Sequence, residues 1–319
     1  MKMNMSKLLM LMTLMLSSIS SLSSNNWLTL WILMELNLFM FMPMISKNKI
    51  NDQSMKYFII QTLASNLLIF SIMMNAINLN MINNNLTIML SLMLKIGMVP
   101  LHIWMPEIMS KMSWKECFIL TTMLKIIPMI FIKKMISFKL IILPMIVSMF
   151  VASISGFNQL NLKKMMAYSS IFNLSWMINA FFLGKKMIII FLLIYSSLNM
   201  KIMYLFNNNN LIYLNQMKNL NFLQKMHINL NLISIMGLPP MMGFFPKWMM
   251  LKLMINKSLM LSSSMILTSI ISMYMYMQIM SMNMFNFTFK KKKNNLNLSK
   301  SISLINMLII PTIFFYWIN

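Results

Sequence analysis

The sequence predicts an all-α protein that crosses a membrane many times. Hydrophobic residues occupy 59% of the 319 positions, charged residues only 10%, and the mean hydropathy is +0.72. A soluble domain carries roughly a quarter charged residues. Apolar windows of about 20 residues, the length that spans a bilayer as a helix, recur along the whole chain. We therefore expect a polytopic bundle of transmembrane helices.

Eleven candidate spans follow one another in a single membrane domain. They cover residues 7–24, 27–46, 57–77, 86–106, 116–134, 137–157, 165–183, 187–206, 228–251, 258–282 and 301–318. The first window resembles a signal peptide but lacks a small-x-small cleavage site, so we expect a helix there. The connections are short except for the Asn-rich segment 207–227 and the run from Lys290 to Lys300, which we expect to be solvated.

The net charge of +23 does not indicate nucleic-acid binding. All 27 basic residues are Lys, whereas Arg is the residue that reads bases and phosphates bidentately. Most of these lysines lie in short connections between spans, where membrane proteins carry them. No soluble segment is large enough to dock a duplex, so we expect no nucleic-acid partner.

The chain is poorly equipped to hold a redox centre. Cys117 is the single cysteine, which excludes thiolate iron–sulfur clusters and zinc fingers. His102 and His227, the two histidines, lie in different segments and do not favour a bis-histidine haem. We expect no cofactor and no metal in this chain, and only a supporting part in any redox reaction.

The lysines also predict an orientation. With eleven spans, the side of the amino terminus holds sixteen lysines in its connections and the opposite side seven. The positive-inside rule then places the amino terminus on the matrix-like side and the carboxyl terminus on the other. The 48 methionines and the absence of Arg indicate an AT-rich gene of an invertebrate mitochondrial genome, in which an Ile codon is read as Met.

A few charged residues fall inside the spans, where a charge costs about 2.5–3.5 kcal/mol at the bilayer centre. These residues are Glu35, Lys95, Lys125, Lys201 and Lys247. Lys201 lies about one and a half turns from the end of its span, so its ammonium can reach the headgroups. The other four lie too deep for this and are predicted to have a function.

Helix-breaking residues concentrate in the fourth and ninth spans. They are Gly97, Pro100 and Pro106 in the fourth, and Gly237, Pro239, Pro240, Gly243 and Pro246 in the ninth. Each span is therefore predicted to divide into two half-helices. Irregular backbone at membrane depth is tolerated where protein buries it or water reaches it, and paired broken helices indicate a transport path. The freed carbonyls can solvate a nearby ammonium group.

These groups suit proton transfer better than metal-ion transport. Burial favours the neutral amine of a lysine and a nearby carboxylate favours the charged form. If Glu35 approaches Lys95, a movement of the carboxylate would switch the charge of the lysine. A lysine brings no carboxylate cage for sodium or potassium. His102 can relay a proton through water, or can simply be packed and hydrogen-bonded to the freed carbonyls.

Four stretches in this order resemble a known family: "WILMELN", "LKIGMVPLHIWMPE", "MAYSSI" and "GLPPMMGFFPKW". They are similar to the antiporter-like subunits of respiratory complex I, in the branch of the mitochondrial NADH dehydrogenase subunit 2. The resemblance covers essentially the whole chain. Bacterial members of the family have three more helices at the amino terminus, and eleven spans are typical of the shortened animal form.

The resemblance assigns roles to the deep charges. Glu35 and Lys95 correspond to the Glu–Lys pair of the family, Lys125 to its bridging lysine and Lys247 to the lysine of the second broken helix. His102 is a further candidate for proton transfer. After "AYSSI", where relatives commonly have His and Gly, this chain has Asn173 and Ser175. Asn173 can orient water but cannot titrate.

The resemblance also implies a function and a location. It implies a core membrane-arm subunit of an H⁺-translocating NADH:ubiquinone reductase, coupled to electron transfer from NADH to ubiquinone in other subunits. NADH, FMN, iron–sulfur clusters and ubiquinone would belong to those subunits. The expected partners are core and accessory subunits and lipids, including cardiolipin. The expected location is the mitochondrial inner membrane, with the amino terminus in the matrix and the carboxyl terminus in the intermembrane space.

Two other functions stay open at this point. A free-standing cation/proton antiporter of the related type would share the broken helices and the lysines. A structural spacer within a larger complex would use the polar groups to hold helices together.

Overall fold

The computed structural model describes residues 5–46, 52–77, 81–239 and 241–284. Within these ranges the chain is helical, and the only β-type pairing is one isolated antiparallel bridge between Asn161 and Tyr213. The helices are α1 Met5–Ser23, α2 Trp27–Ile45, α3 Asp52–Ile77, α4 Met81–Ile96, α5 Trp104–Lys111, α6 Trp114–Thr121, α7 Met123–Met135, α8 Phe138–Phe157, α9 Leu162–Leu183, α10 Lys185–Asn208, α11 Phe222–Met236, α12 Phe244–Ile255 and α13 Leu259–Met284. The all-α prediction is confirmed.

Six of these helices contain segments long and apolar enough to cross a membrane, judged by length and composition. The segments are Met5–Ser23, Trp27–Ile45, Asp52–Met74, Phe138–Phe157, Lys186–Asn208 and Leu259–Ser281. The remaining described spans do not qualify because three are divided and α9 carries many Ser and Asn residues. The expected span 301–318 and the run from Lys290 to Lys300 lie outside the described residues.

The two predicted interruptions are confirmed. The fourth span, expected at 86–106, divides into α4 and α5, and α5 continues to Lys111. The ninth, expected at 228–251, divides into α11 and α12 and extends at both ends. Gly97 and Gly237 follow the first half-helices with φ of +78° and +81°, a region that glycine adopts without strain. Pro240, one of the expected breakers, lies outside the described residues.

A third interruption was not expected. The predicted span 116–134 is divided at Thr122, whose φ of −116° and ψ of −72° separate α6 from α7. The hydroxyls of Thr121 and Thr122 both donate to the carbonyl of Phe118, at 3.1 and 2.7 Å. Such bonds from Ser and Thr to a preceding carbonyl often bend a helix. Lys125 therefore lies in the first turn after a break, as Lys247 does.

Helix α9 lies at the centre of the bundle. It contacts α5, α6, α7, α8, α10 and α12, and most of its residues are buried, including Ser169, Ser170 and Asn173. A helix that is buried all round needs no amphipathic pattern. Its polar side chains therefore point at other helices, and the second halves of both broken helices, α5 and α12, pack against it.

The connections 112–113, 158–161 and 209–221 meet at one end of the bundle, termed here the amino-terminal face. The indole nitrogen of Trp114 donates to the carbonyl of Leu211 at 3.1 Å, and the amine of Lys163 donates to that of Met112 at 2.6 Å. The opposite face holds the α1–α2, α7–α8 and α12–α13 connections, where Lys134 donates to the carbonyl of Ser24.

The segment 207–227 is a correction to the expectation of a solvated loop. It contains a short 3₁₀ helix, Leu214–Asn219, and its last residues belong to α11. Leu211 and Met217 are 2% and 1% exposed because they insert into the bundle. The Asn-rich composition concealed apolar residues that close this face.

Candidate proton-transfer site

Glu35 and Lys95, which the sequence predicts as a pair, are in contact. Glu35 lies near the middle of α2 and Lys95 in the last turn of α4, and Lys95 Nζ is 3.2 Å from Glu35 Oε1. The Lys95 side chain is 3% exposed and that of Glu35 16%. The position of Lys95 at the negative end of the α4 dipole also favours a cation. The interruption is closed by Trp104, whose indole nitrogen donates to the carbonyl of Leu94 at 3.1 Å.

Lys125 has a different environment. It is buried at the start of α7, and its Nζ lies 3.2 Å from the hydroxyl and 3.5 Å from the carbonyl oxygen of Ser170 on α9. In the described part of the chain, the hydrogen-bond partners of its amine are thus neutral oxygens rather than a carboxylate. Among the described residues, this lysine has hydrogen-bond partners and no carboxylate partner, whereas Lys95 also has a counterion.

Lys95 and Lys125 line one cavity of about 30 Å³. Its wall also includes polar side chains of α2 and α3, namely Asn37, Tyr57 and Gln61. The space is sufficient for water, and the polar wall supplies partners for it. Gln61 is fixed in place because its Nε2 donates to the carbonyl of Lys95 at 3.2 Å. The cavity joins the Glu35–Lys95 pair to Lys125.

Lys247 lies in the first turn of α12 and points back into the ninth-span interruption. Its Nζ is 2.9 Å from the carbonyl oxygen of Met236 and 3.4 Å from that of Ile235. These are terminal carbonyls of α11, which have no partner within their own helix. The amine also lies 5.7 and 5.9 Å from the ring centroids of Phe172 and Trp176, within cation–π distance. The interruption thus provides the oxygens that hold the ammonium.

Helix α9 contacts both Lys125 and Lys247. Ser170 binds Lys125, and Phe172 and Trp176, two and six residues further along the helix, face Lys247. Asn173 is 5% exposed and lies between these contacts along the helix. Ser175 has a structural contact instead: its hydroxyl is 2.8 Å from that of Ser148 and 3.1 Å from the carbonyl of Met145, which ties α9 to α8.

His102 is not brought to the lysines. It is half-buried in the α4–α5 connection, with Nδ1 3.3 Å from the carbonyl oxygen of Pro100 and its ring 6.3 Å from that of Tyr168. It is absent from the wall of the Lys95–Lys125 cavity. Of the two interpretations of this residue, the geometry favours a histidine held against a freed carbonyl. Lys201 is partly exposed on α10, as a snorkelling lysine should be.

A comparison with known families decides the classification. The family model described as "NADH:quinone oxidoreductase/Mrp antiporter, TM" matches residues 24–272. The chain belongs to this family. Its relatives include proteins named NADH-ubiquinone oxidoreductase chain 2. That of Locusta migratoria is 39% identical over 286 residues, which is 85% of this chain and 83% of the relative. That of Bos taurus is 30% identical over 289 residues, 84% of this chain and 82% of the relative.

Solved structures share the family fold. A chain of the respiratory complex I from Thermus thermophilus with bound Aureothin matches with a TM-score of 0.83 at 16% identity, over 98% of this chain and 79% of that chain. A chain of the Mrp complex from Dietzia sp. DQ12-45-1b matches with a TM-score of 0.72 at 12% identity, over 90% and 61%. At these identities the likeness concerns the fold alone.

Two lysines that the sequence analysis placed in connections between spans are buried in the structure. Lys163 and Lys225 are 8% and 5% exposed. The amine of Lys163 donates to the carbonyl of Met112, at the carboxyl-terminal end of α5, and lies 5.8 Å from the ring centroid of Trp114. Nothing in the local sequence separates these lysines from exposed ones. By contrast, the sequence pattern could have indicated Tyr57 and Gln61, because polar residues four positions apart on an apolar helix lie on the same face.

No metal centre is suggested by the described ranges, in which no three His, Cys, Asp or Glu side chains gather as ligands would.

Proposed function

We propose that this chain is a proton-translocating membrane-arm subunit of respiratory complex I, with Glu35, Lys95, Lys125 and Lys247 as the proton-carrying groups. The observation that carries the proposal is the ion pair of 3.2 Å between Glu35 and Lys95, in which Lys95 shares a cavity with a second buried lysine, Lys125. Ionisable groups at membrane depth mark ion paths and proton relays by default.

The pair supplies a switch. With Glu35 beside it, Lys95 is stabilised as an ammonium. When the carboxylate moves away, an uncompensated buried charge is left, which is strongly unfavourable. Lys95 then releases a proton through water to the amine of Lys125, so that Lys95 becomes neutral and Lys125 becomes an ammonium. One proton has moved and no electron is involved.

Transfer beyond Lys125 runs along α9 towards Lys247. Asn173 occupies the position where relatives commonly have a histidine, and an amide orients water without taking up the proton. The step from Lys125 to Lys247 in this chain therefore uses water rather than a titrating side chain on α9. Ser170, already bonded to Lys125, provides the first hydroxyl of that path.

Membership of complex I follows from the relatives. Proteins named NADH-ubiquinone oxidoreductase chain 2 match over most of this chain, and we infer the same setting here: the mitochondrial inner membrane, with other core and accessory subunits and lipids such as cardiolipin as partners. NADH, FMN, iron–sulfur clusters and ubiquinone are assigned to the other subunits, so the reductase activity is that of the complex.

The matrix location of the amino terminus is part of the proposal. In the described residues eight lysines lie at the amino-terminal face and seven at the opposite face, and two of the eight, Lys163 and Lys225, are buried. The other eight of the sixteen lysines that predict the orientation lie outside the described ranges. The orientation thus depends on these lysines.

A stand-alone antiporter is the second candidate, favoured by the likeness to a chain of the Mrp complex. The two can be separated on native gels of the source membranes. A complex I subunit migrates only in an assembly far larger than the 37.6 kDa chain, together with NADH dehydrogenase activity. Migration apart from that activity would support the antiporter.

Site-directed variants test the proton path. Glu35→Gln, Lys95→Met and Lys247→Met in the assembled complex should each reduce proton translocation and the coupled reduction of quinone, while assembly persists. Lys252→Met is the matched control, because Lys252 is an exposed lysine of the same helix α12. Translocation at the control level in all three variants would refute the assigned roles.

A further inference from the structure

The two broken spans satisfy the carbonyls at their interruptions with different donors. The last carbonyls of a helix have no partner within it and form the negative end of its dipole, so they attract cations. At the end of α11 a cation takes them, because the carbonyl oxygens of Ile235 and Met236 lie 3.4 and 2.9 Å from the amine of Lys247. The backbone of the ninth span is thus itself a binding site for an ammonium group.

Neutral donors take the corresponding carbonyls at the end of α4. The carbonyl of Leu94 accepts from the indole nitrogen of Trp104 at 3.1 Å, and that of Lys95 accepts from the side-chain amide of Gln61 at 3.2 Å. Both donor side chains are buried. Among the described residues, the amine of Lys95 is instead bonded to the carboxylate of Glu35, at 3.2 Å.

The sequence shows that the two interruptions are comparable. Their breakers share one spacing, in which prolines follow the glycine after three and after nine residues: Gly97, Pro100 and Pro106, and Gly237, Pro240 and Pro246. Lys95 and Ile235 lie at the same place in this pattern, two residues before the glycine. The same need for donors is therefore met by neutral groups in one span and by a lysine in the other, so satisfying the backbone does not by itself require neutral donors.

We propose that Trp104 and Gln61 are positioning residues for Lys95, which occupy the backbone oxygens of the first interruption so that the charge of Lys95 depends on the carboxylate of Glu35. This rests on the proposed function, to which it adds the reason why Lys95 responds to that carboxylate. A lysine near the carboxyl end of a helix can bond the last carbonyls, and an ammonium held there would keep its proton after Glu35 moves away. With those oxygens already occupied, displacement of the carboxylate leaves the ammonium uncompensated, and the proton passes to Lys125.

Packing explains the ring of Trp104 but not its hydrogen bond. A Cβ on Gly97 would lie 3.2 Å from Cζ2 of Trp104, so the indole covers the glycine, and the ring of Tyr57 lies 6.1 Å from the indole. A phenylalanine would keep contacts of this kind. The assigned role belongs to the indole N–H of Trp104 and to the amide N–H of Gln61, so the tests remove these donors and keep similar side chains.

The first test removes one donor at a time from the assembled complex, reconstituted in vesicles. Trp104→Phe and Gln61→Met each free one carbonyl, to which the ammonium of Lys95 can then bond. We expect proton translocation at neutral pH to fall about tenfold, the effect of one added hydrogen bond to a charged group. It should recover when the pH is raised by about one unit, because a more strongly held proton is released at a lower proton concentration. The titratable residues that neighbour Lys95 or line its cavity stay the same in both variants: Glu35 on α2, Tyr57 on α3 and Lys125 on α7.

Trp114→Phe is the matched control for the loss of an indole donor. The indole nitrogen of Trp114 also donates to a carbonyl at 3.1 Å, that of Leu211, so its removal should have a similar effect on stability. Trp114 is absent from the wall of the cavity that contains Lys95. We therefore expect this variant to show no loss of translocation that recovers with pH.

The second test measures the position of the amine and does not depend on translocation. The coupling between Glu35 and Lys95 is obtained from the thermal midpoints of Glu35→Gln, Lys95→Met and the double variant. Repeated in the Gln61→Met background, this coupling should be smaller, because the freed carbonyl competes with the carboxylate for the ammonium. In the Trp114→Phe background it should be unchanged.

The outcomes separate this inference from the proposed function. Equal coupling in the Gln61→Met and Trp114→Phe backgrounds, or a loss of translocation that does not recover with pH, would assign Trp104 and Gln61 a structural role only. Translocation by both donor variants at the control level, while Lys95→Met is inactive, would also overturn the inference and leave the function in place. Normal translocation in Lys95→Met would overturn the function itself. If Trp104→Phe does not assemble, Gln61→Met decides by both measurements.

Discussion

Single and double substitutions of Glu35 and Lys95 distinguish the contribution of this pair to stability from its part in proton transfer. At 3.2 Å, Coulomb's law with an effective dielectric constant of about 20 gives an attraction of about 5 kcal/mol between unit charges. Removing one partner of a buried pair costs about 3–5 kcal/mol, because the other charge stays buried without compensation. Glu35→Gln and Lys95→Met should therefore each lower the thermal stability of the assembled complex.

The double variant carries the decisive result. Glu35→Gln with Lys95→Met removes both charges and keeps similar volumes, so most of the lost stability should return, as it does when buried ion pairs are replaced by neutral groups. Proton translocation should stay absent, because no titratable group is left at this position. The assays are the thermal inactivation midpoint of NADH oxidation and the acidification of vesicles during NADH turnover.

Two results would refute this reasoning. If the single variants are as stable as the native complex, the pair does not form in the assembled protein. If the double variant translocates protons at the native rate, the pair is a structural contact only and the proton must take another course. A double-mutant cycle gives the coupling energy directly.

Two further predictions concern the supports of the site. Gly237→Ala should destabilise the complex by about 1–2 kcal/mol, because its φ of +81° is unfavourable for a side chain. It should also lower translocation, because the added Cβ would lie 3.2 Å from Cδ of Lys247; thermal inactivation and vesicle acidification measure the two effects. Ser175→Ala should cost about 0.5–1 kcal/mol through the lost contact with Ser148 and leave the ratio of protons to NADH unchanged, and a changed ratio would assign Ser175 to the proton path.

The features that the sequence predicted are those that local chemistry determines. Glycine permits a positive φ and proline removes a backbone donor wherever they stand, so the interruptions near Gly97 and Gly237 could be predicted without knowing what packs around them. The positions of Glu35, Lys95 and Lys247 near the middle of their predicted spans could be identified in the same way, because a charged residue stands out in any apolar window.

The features that the sequence did not reveal depend on packing between distant segments. Thr122 interrupts a helix although no Gly or Pro is next to it. The hydroxyl bonds found at this break also occur in straight helices, so the sequence alone does not predict it. Lys163 is buried only because the carbonyl of Met112 and the ring of Trp114, about 50 residues earlier in the chain, come to it. The same dependence hides the 3₁₀ segment around Met217.

The distribution of charge around the lysines determines the order of the proposed proton transfers. Glu35 is the only acidic residue near the middle of a predicted span, and it pairs with Lys95, whereas Lys125 and Lys247 are held by neutral oxygens. Lys95 and Lys125 share one cavity, so two ammonium groups there repel each other unless the carboxylate compensates one of them. In the proposed mechanism, Glu35 near Lys95 favours the ammonium on Lys95 while Lys125 is neutral, and its withdrawal moves that proton to Lys125. Among the described residues, Lys95 is the only one of these three lysines with a carboxylate counterion, so the proposed mechanism needs the displacement of a single carboxylate, that of Glu35, to order the transfers.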